Sequence, residues 1–178
     1  MKIAYLVLAG LLSMAGCANQ AQSLAGTEEQ NPLIAANYGA AERLFTPAMQ
    51  KELLGENRRI LVASYVDINQ VSRTSLFGKM MAEQLASRLV QLGVPVVEVK
   101  LRSSMFVSEK GGEMLLSREI KEIGQQHNAE AVVVGTYADA GSSGVYVTVK
   151  VVKALDGRIM SATSFMVERK LVASIVNH

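Results

Sequence analysis

The apolar and polar positions divide the chain into stretches of distinct period. An apolar run covers Ile3 to Leu12, and residues 18–31 then lack any periodic apolar position. From Pro32 the spacing becomes helical. Ile34, Tyr38, Ala41 and Leu44–Phe45 recur on one side, and Pro32 suits a first helical turn. Pro47 interrupts or restarts this helix, which Met49, Leu53 and Leu54 carry on to Gly55. Arg59 to Val66 (RILVASYV) is a nearly continuous apolar run of strand length, the pattern of a strand covered on both faces.

Ser72 or Thr74 can cap the next helix. Its apolar positions Phe77, Met81, Leu85, Leu89 and Leu92 advance at helical steps, and Gly93 closes it. Val94 to Leu101 reads as a second strand, and Pro95, which has no amide hydrogen for a ladder, puts it at a sheet edge. Gly111–Gly112 turns the chain into a third helix, with Met114, Leu115, Ile120 and Ile123 inward and Arg118, Lys121 and Glu122 outward. Ala131 to Tyr137 (AVVVGTY) is a second buried strand. After a connection at Gly141–Gly144, Val145, Val147, Val149 and Val151 alternate with Tyr146, Thr148 and Lys150, the mark of a half-exposed antiparallel strand. Asp156–Gly157 signals a two-residue hairpin, and Arg158 to Glu168 returns as the last strand.

These elements predict an α/β domain of α+β character. Two right-handed strand–helix–strand units and a C-terminal antiparallel meander form a mixed five-stranded sheet flanked by helices. The order 2-1-3-4-5 places the two most apolar strands in the middle. Leu171, Val172, Ile175 and Val176 follow at helical spacing; exposed, they would mark a partner surface, and a terminal turn docked on its own domain is the expected arrangement.

The N-terminus has a different logic. Met1 and Lys2 give a positive start, the apolar run is shorter than the roughly 20 residues a membrane span needs, and polar residues follow at once. That is a secretory signal. Ala15-Gly16-Cys17 resembles the bacterial lipobox, which implies cleavage between Gly16 and Cys17, a diacylglycerol on the thiol and acylation of the new amine. Met14 stands where the lipobox usually has leucine. Ala18 is not the aspartate that retains enteric lipoproteins at the inner membrane, which favours a periplasm-facing position on the outer membrane. The expected organisation is a signal peptide at 1–16, a lipidated N-terminus and tether at 17–31, and the domain at 32–178. Fully extended, the tether reaches about 45 Å from the membrane.

Composition narrows the function. Cys17 is the only cysteine, so no disulfide or thiolate metal cluster forms within the chain. The 18 basic residues lose Lys2 with the signal and then nearly balance 16 acidic ones, without runs of like charge. No basic footprint for nucleic acid exists. Arg58–Arg59 and Arg169–Lys170 read as solvated flanks of strands. The two histidines, His127 at a helix end and His178 at the terminus, are not at metal-ligand spacing, and no Gly-x-Ser-x-Gly elbow or phosphate loop is present. Asp67, at the carboxyl end of a buried strand, occupies the position where α/β sheets present ligands, although satisfying loop amides is its simpler use. The reading is of a chain with no catalytic residues, no metal or cofactor site and no small-molecule substrate.

A family resemblance appears between Arg59 and Arg169. Ile60-Leu-Val-Ala-Ser-Tyr-Val-Asp67, Ser75-Leu-Phe-Gly78, Glu83-Gln-Leu-Ala-Ser-Arg-Leu89 and Val97-Glu-Val-Lys-Leu-Arg102 look like blocks of the FlgO family of flagellar outer-membrane lipoproteins. So do Gly111-Gly-Glu-Met-Leu-Leu-Ser-Arg-Glu119, Ala131-Val-Val-Val-Gly-Thr-Tyr137 and Val145-Tyr-Val. The resemblance implies a non-enzymatic role at the outer membrane, assembling or stabilising the flagellum in a ring or disk, and needed for motility. The implied partners are the membrane through Cys17, basal-body or outer-membrane ring proteins, and further copies of the chain. Arg102, Glu113 and Arg118 match family positions and form either an internal ion-pair network, the favoured reading, or a subunit contact. The alternative is a periplasm-facing binding module that regulates an envelope enzyme or secretion pore, resting on the same anchor and tether.

Overall fold

In the computed structural model, which describes residues 31–53, 59–70, 75–99 and 120–176, the spacing after Pro32 gives two helices, α1 (Pro32–Leu44) and α2 (Pro47–Leu53). Thr46 breaks the run. Its hydroxyl accepts from the Met49 N–H at 3.4 Å, and Pro47 takes the first position of α2, where no amide hydrogen is needed. The chain divides into Met1–Ala35 and Ala36–His178. The described part of the first is the start of α1, where Asn31 Oδ1 accepts the Leu33 N–H at 3.0 Å. The other elements belong to the second. Gly16, Cys17, the tether up to residue 30, Ser72, Thr74, Arg102, Gly111–Gly112, Glu113, Met114, Leu115, Arg118 and His178 lie outside the described residues.

The second unit is built on one open mixed sheet. β1 (Arg59–Ala63) is followed by β2 (Val66–Asp67), α3 (Leu76–Gln91), β3 (Val96–Val99), helical residues 120–126 (α4), β4 (Ala129–Asp139), β5 (Gly144–Lys153), β6 (Ile159–Glu168) and α5 (Arg169–Val176). The order is β3-β1-β4-β5-β6, with β2 paired to β4. β1 runs parallel to β3 and β4, while β4, β5 and β6 form the antiparallel meander. This is the α/β class and the strand order that the apolar runs predict, with the Pro95-fronted strand at an edge. A sixth strand arises because the first run is broken. The Tyr65 N–H leaves the sheet and donates to Gly78 O at 3.0 Å. Register records the same event: Val62 pairs with Val133 and Val66 with Thr136, so the broken strand carries one residue more than its partner.

Both faces of the sheet centre are buried. On one, Leu61, Val132, Val134, Val152 and Ala154 pack with Ile120, and Ile123 and Val97 join them. On the other, Ile60, Val62, Val133, Val147, Val149 and Val151 are all buried. There α3, through Phe77, Met81, Leu85 and Leu89, lies along β1 and β3, and α5 docks on β5 and α3. The C-terminal tail is thus a docked helix, with Val172 buried. On α1, Tyr38 lies under the Arg88 guanidinium of α3 at 5.2 Å, and Arg88 Nε donates to Glu42 at 3.0 Å.

Two local expectations are corrected. The cap of α3 is Ser75, whose extended backbone lets its hydroxyl accept the Gly78 N–H at 2.9 Å. The Asp156–Gly157 turn is longer than two residues. Ala154 is drawn out of the hairpin by donating to Glu130 O of β4 at 2.9 Å, so Lys153 and Arg158 close a four-residue loop, with Gly157 at φ 74°.

Candidate functional site

In a parallel α/β arrangement, ligands gather at the carboxyl ends of the strands where the connections reverse direction. Here β1 leads through α3 to β3 on one side, and β3 leads through α4 to β4 on the other, so the reversal lies between β1 and β4. Asp67, the residue singled out from the sequence, sits at this point.

The structure closes that end. β2 prolongs the pairing with β4 past the break, Val66 to Thr136 and Asp67 to Tyr137, and the Ile68 N–H still reaches Tyr137 O at 3.0 Å. The Tyr137 ring meets Phe77 edge-on, 5.1 Å between centroids, and its hydroxyl donates to Ser75 Oγ at 2.7 Å. Burial raises the Tyr137 phenol above its ordinary value, and the Asp67 carboxylate adds to the rise while the Ser75 hydrogen bond opposes it. Asp67 Oδ1 accepts the Asn69 N–H at 2.8 Å, and its carbonyl accepts that of Gln70 at 3.1 Å. Its carboxylate is engaged in turning the chain, the simpler of its two expected uses.

Beside this seal lies a tightly packed point of the core. Tyr65 and Asn37 are fully buried; the Tyr65 hydroxyl reaches Asn37 Oδ1 at 3.4 Å, and Asn37 Nδ2 donates to Met81 O at 2.6 Å. Burial pushes the Tyr65 phenol far above its normal range. Two glycines make room for this tyrosine. A Cβ on Gly135 would lie 2.1 Å from the Tyr65 ring, and one on Gly78 would lie 2.0 Å from the Tyr65 carbonyl oxygen.

At the opposite end of β4 is an open hollow of about 370 Å³ lined by Lys121, Gln125, Asn128, Glu130, Lys153 and Leu155. Lys153 Nζ stands 3.8 Å from Glu130, so the hollow's charges are largely paired across it. His127 is exposed beside it, at the end of the helical residues 120–126, with its N–H on Ile123 O. Asp67 and His127 are therefore at opposite ends of the sheet and form no common site. Among the described residues no group of three or more His, Cys, Asp or Glu is placed to hold a metal, and no helix is long and apolar enough to cross a membrane.

Sequence reasoning passed over Arg169, reading it as a solvated flank. Its guanidinium donates to the Asp139 carboxylate, to Gly141 O at 3.0 Å through Nε and to Gly144 O at 3.0 Å. It thereby fixes the β4–β5 turn against the start of α5. The Gly141 N–H and then the Arg169 guanidinium hold the Asp139 carboxyl below its ordinary value. The available signal was a glycine-rich turn in a chain with an arginine at the end of the last strand, and it named no partner.

No curated protein matches this chain in sequence. Solved structures with a similar backbone include lipoprotein GNA1162 from Neisseria meningitidis, 17% identical, covering 67% of this chain and 94% of that one, with a TM-score of 0.45. The LpoB C-terminal domain from Salmonella enterica is 15% identical over 74% of this chain and 98% of its own, with a TM-score of 0.45. A PelC dodecamer from Paraburkholderia phytofirmans is 14% identical over 70% and 85%, with a TM-score of 0.40. The family model described as FlgO protein matches residues 38–172, from within α1 to within α5, and the chain belongs to the FlgO family.

Proposed function

We propose that this chain is a lipid-anchored, non-enzymatic component of the outer membrane that helps assemble or stabilise the flagellum there. The observation that carries the reading is the family match, which spans every described strand. The N-terminus supports it. Cleavage after Gly16 would expose Cys17 for acylation, and more than one acyl chain is what stable anchoring requires. Residues 17–31 would then tether the domain below the membrane. The closed strand ends also support it, because they leave the outer surfaces as the means of engaging partners.

The test is deletion of the chain in a flagellated host, with swimming and flagellar retention as readouts. Both should fall and return with the wild-type chain, whereas a Cys17→Ser chain should lose lipid labelling and fail to restore them. Intact flagella and normal swimming after deletion would sink the flagellar role. Lipid labelling that survived Cys17→Ser would sink the anchor. Capture of a cell-wall synthase or secretion pore, with no basal-body protein, would favour a regulatory binding module instead.

A further inference from the structure

The hollow at the amino end of β4 is built from fixed parts. Two small residues meet in it, Gly124 of α4 and Ala154 after β5, both buried. A Cβ on Gly124 would lie 2.4 Å from the Ala154 Cβ, so a larger residue at either place would push the helix off the sheet or fill the space. Backbone bonds hold the walls. Ala154 N donates to Glu130 O at 2.9 Å, Lys153 N to Arg158 O at 2.8 Å and Gly157 N to Lys153 O at 2.9 Å. Asn128, the one described non-glycine residue in the left-handed region (φ 49°), turns the chain from α4 straight into β4. The hollow is therefore formed in advance, and a ligand need not order it.

Its lining offers three kinds of contact. The first is positive charge. Lys153 Nζ stands 3.8 Å from Glu130, too far for a hydrogen bond, so the ammonium can donate to another oxygen without surrendering one. Pairing across the hollow leaves Lys121 over, which has no acidic partner within ion-pair distance among the described residues. Two lysines thus face one carboxylate. The Lys153 side chain is only 24% exposed, and charges so placed attract more strongly than in bulk water. The second kind is the amide. Gln125, one turn along α4 from Lys121, and Asn128 each carry both a donor and an acceptor. The third is apolar: Leu155 lines the hollow while 66% exposed.

We propose that this hollow receives the free carboxylate end of a partner polypeptide. The terminal carboxylate takes charge-assisted bonds from Lys121 and Lys153, the last peptide groups meet the amides of Gln125 and Asn128, and an apolar last side chain covers Leu155. Charge, peptide group and apolar side chain adjoin one another at a chain end. An inorganic anion would use the lysines alone and leave Leu155 bare. The volume, about 370 Å³, lies at the lower end of the range of about 300–1,000 Å³ for ligand sites, and an open hollow admits the end of a chain that continues outside it. The proposal goes beyond the flagellar reading and stands on the hollow alone, so either can fail without the other.

The test is fluorescence anisotropy with the purified mature chain. The probe is a tetrapeptide ending in leucine, with an uncharged dye on its amine and a free carboxylate. It should bind saturably, and the same peptide with an amidated end should bind about ten-fold more weakly. Lys121→Gln with Lys153→Gln should also weaken binding about ten-fold, and the fully surface change Lys121→Gln alone about three-fold. Leu155→Ser should weaken it by a similar factor of about three. Lys79→Gln, which removes an exposed lysine of α3, should change nothing, and thermal melts matching wild type exclude unfolding as the cause. Any of four results would overturn the proposal: no saturable binding, equal binding of acid and amide, an equal loss with Lys79→Gln, or equal binding of an end-blocked peptide with an internal glutamate.

Discussion

Substituting Gly135 by alanine tests the account of the sheet centre. The new Cβ would stand 2.1, 2.2 and 2.4 Å from Tyr65 Cδ1, Cγ and Cε1, where carbon atoms in contact rest about 3.5–4.0 Å apart. The ring must shift by roughly an ångström or more, and it has little freedom to do so. It is fully buried, its hydroxyl is held by Asn37, and its backbone N–H is held by Gly78. Overpacking of this kind costs about 1–3 kcal/mol. Gly135 is not in the left-handed region, so alanine also gains about 0.4–1 kcal/mol by restricting the unfolded chain. The net loss should be about 1–1.5 kcal/mol, a drop in Tm of roughly 3–6 °C for a domain of this size. Urea denaturation of the purified mature chain, followed by circular dichroism, would measure it. Tyr65→Ala alone should cost about 3–5 kcal/mol through the cavity it leaves. On that background Gly135→Ala should become neutral or slightly stabilising, a coupling of about 2 kcal/mol between the sites. The same penalty in both backgrounds would refute the claim that the glycine exists to admit the ring.

Three further substitutions probe the surroundings. Asp139 has a lowered carboxyl pKa, so its contribution to stability is present above the ordinary carboxylate range and is lost as pH falls through the lowered value. Asp139→Asn should therefore flatten the acid limb of a denaturation-midpoint profile between about pH 2 and 5, while an unchanged limb would mean the Arg169 clamp is not formed in solution. Tyr137 has a raised phenol pKa, so stability should fall as pH rises past the ordinary tyrosine range, near 10. Tyr137→Phe should weaken that alkaline loss and cost about 1 kcal/mol at neutral pH through the bond to Ser75. The Arg88–Glu42 pair is partly exposed, and a double-mutant cycle to alanine should give a coupling of about 0.5 kcal/mol that shrinks in high salt; a salt-independent value would point to packing on Tyr38 instead.

Much of this architecture was legible in the residues because burial writes itself into periodicity. RILVASYV and AVVVGTY can only sit where both faces are covered, the alternating valines of β5 need one wet face, and Pro95 keeps its strand at an edge. Most of the failures share a cause: they depend on a partner remote in sequence. Nothing in RILVASYV shows that the Tyr65 N–H will be taken by Gly78, so the run reads as unbroken. Several hydroxyl residues precede α3, and only the geometry of its first turn selects Ser75. Asp156–Gly157 is a sound turn signal, but Ala154 bonds to Glu130 and lengthens the loop. Arg169 looks like a flank until Asp139, 30 residues away, is beside it.

Asp67 decides whether chemistry resides at the strand ends. The position is where this class of sheet offers a crevice, and a carboxylate there could serve as an acid, a base or a ligand for a cation. In this chain the crevice is occupied by backbone pairing, by the Tyr137–Phe77 contact and by the turn that Asp67 itself closes. The two roles make different demands. A turn needs only an oxygen that accepts the Asn69 N–H, and an amide supplies one; proton transfer or cation binding needs the charge. Asp67→Asn should therefore leave the denaturation midpoint within about 0.5 kcal/mol of wild type, as expected for a substitution that keeps the bond. It should also leave swimming unchanged in a host that depends on the chain, whereas Asp67→Ala should lose roughly 1 kcal/mol by freeing the amide. A stable Asp67→Asn protein that failed to support swimming would restore a functional carboxylate to the strand ends and refute a purely structural role for this residue.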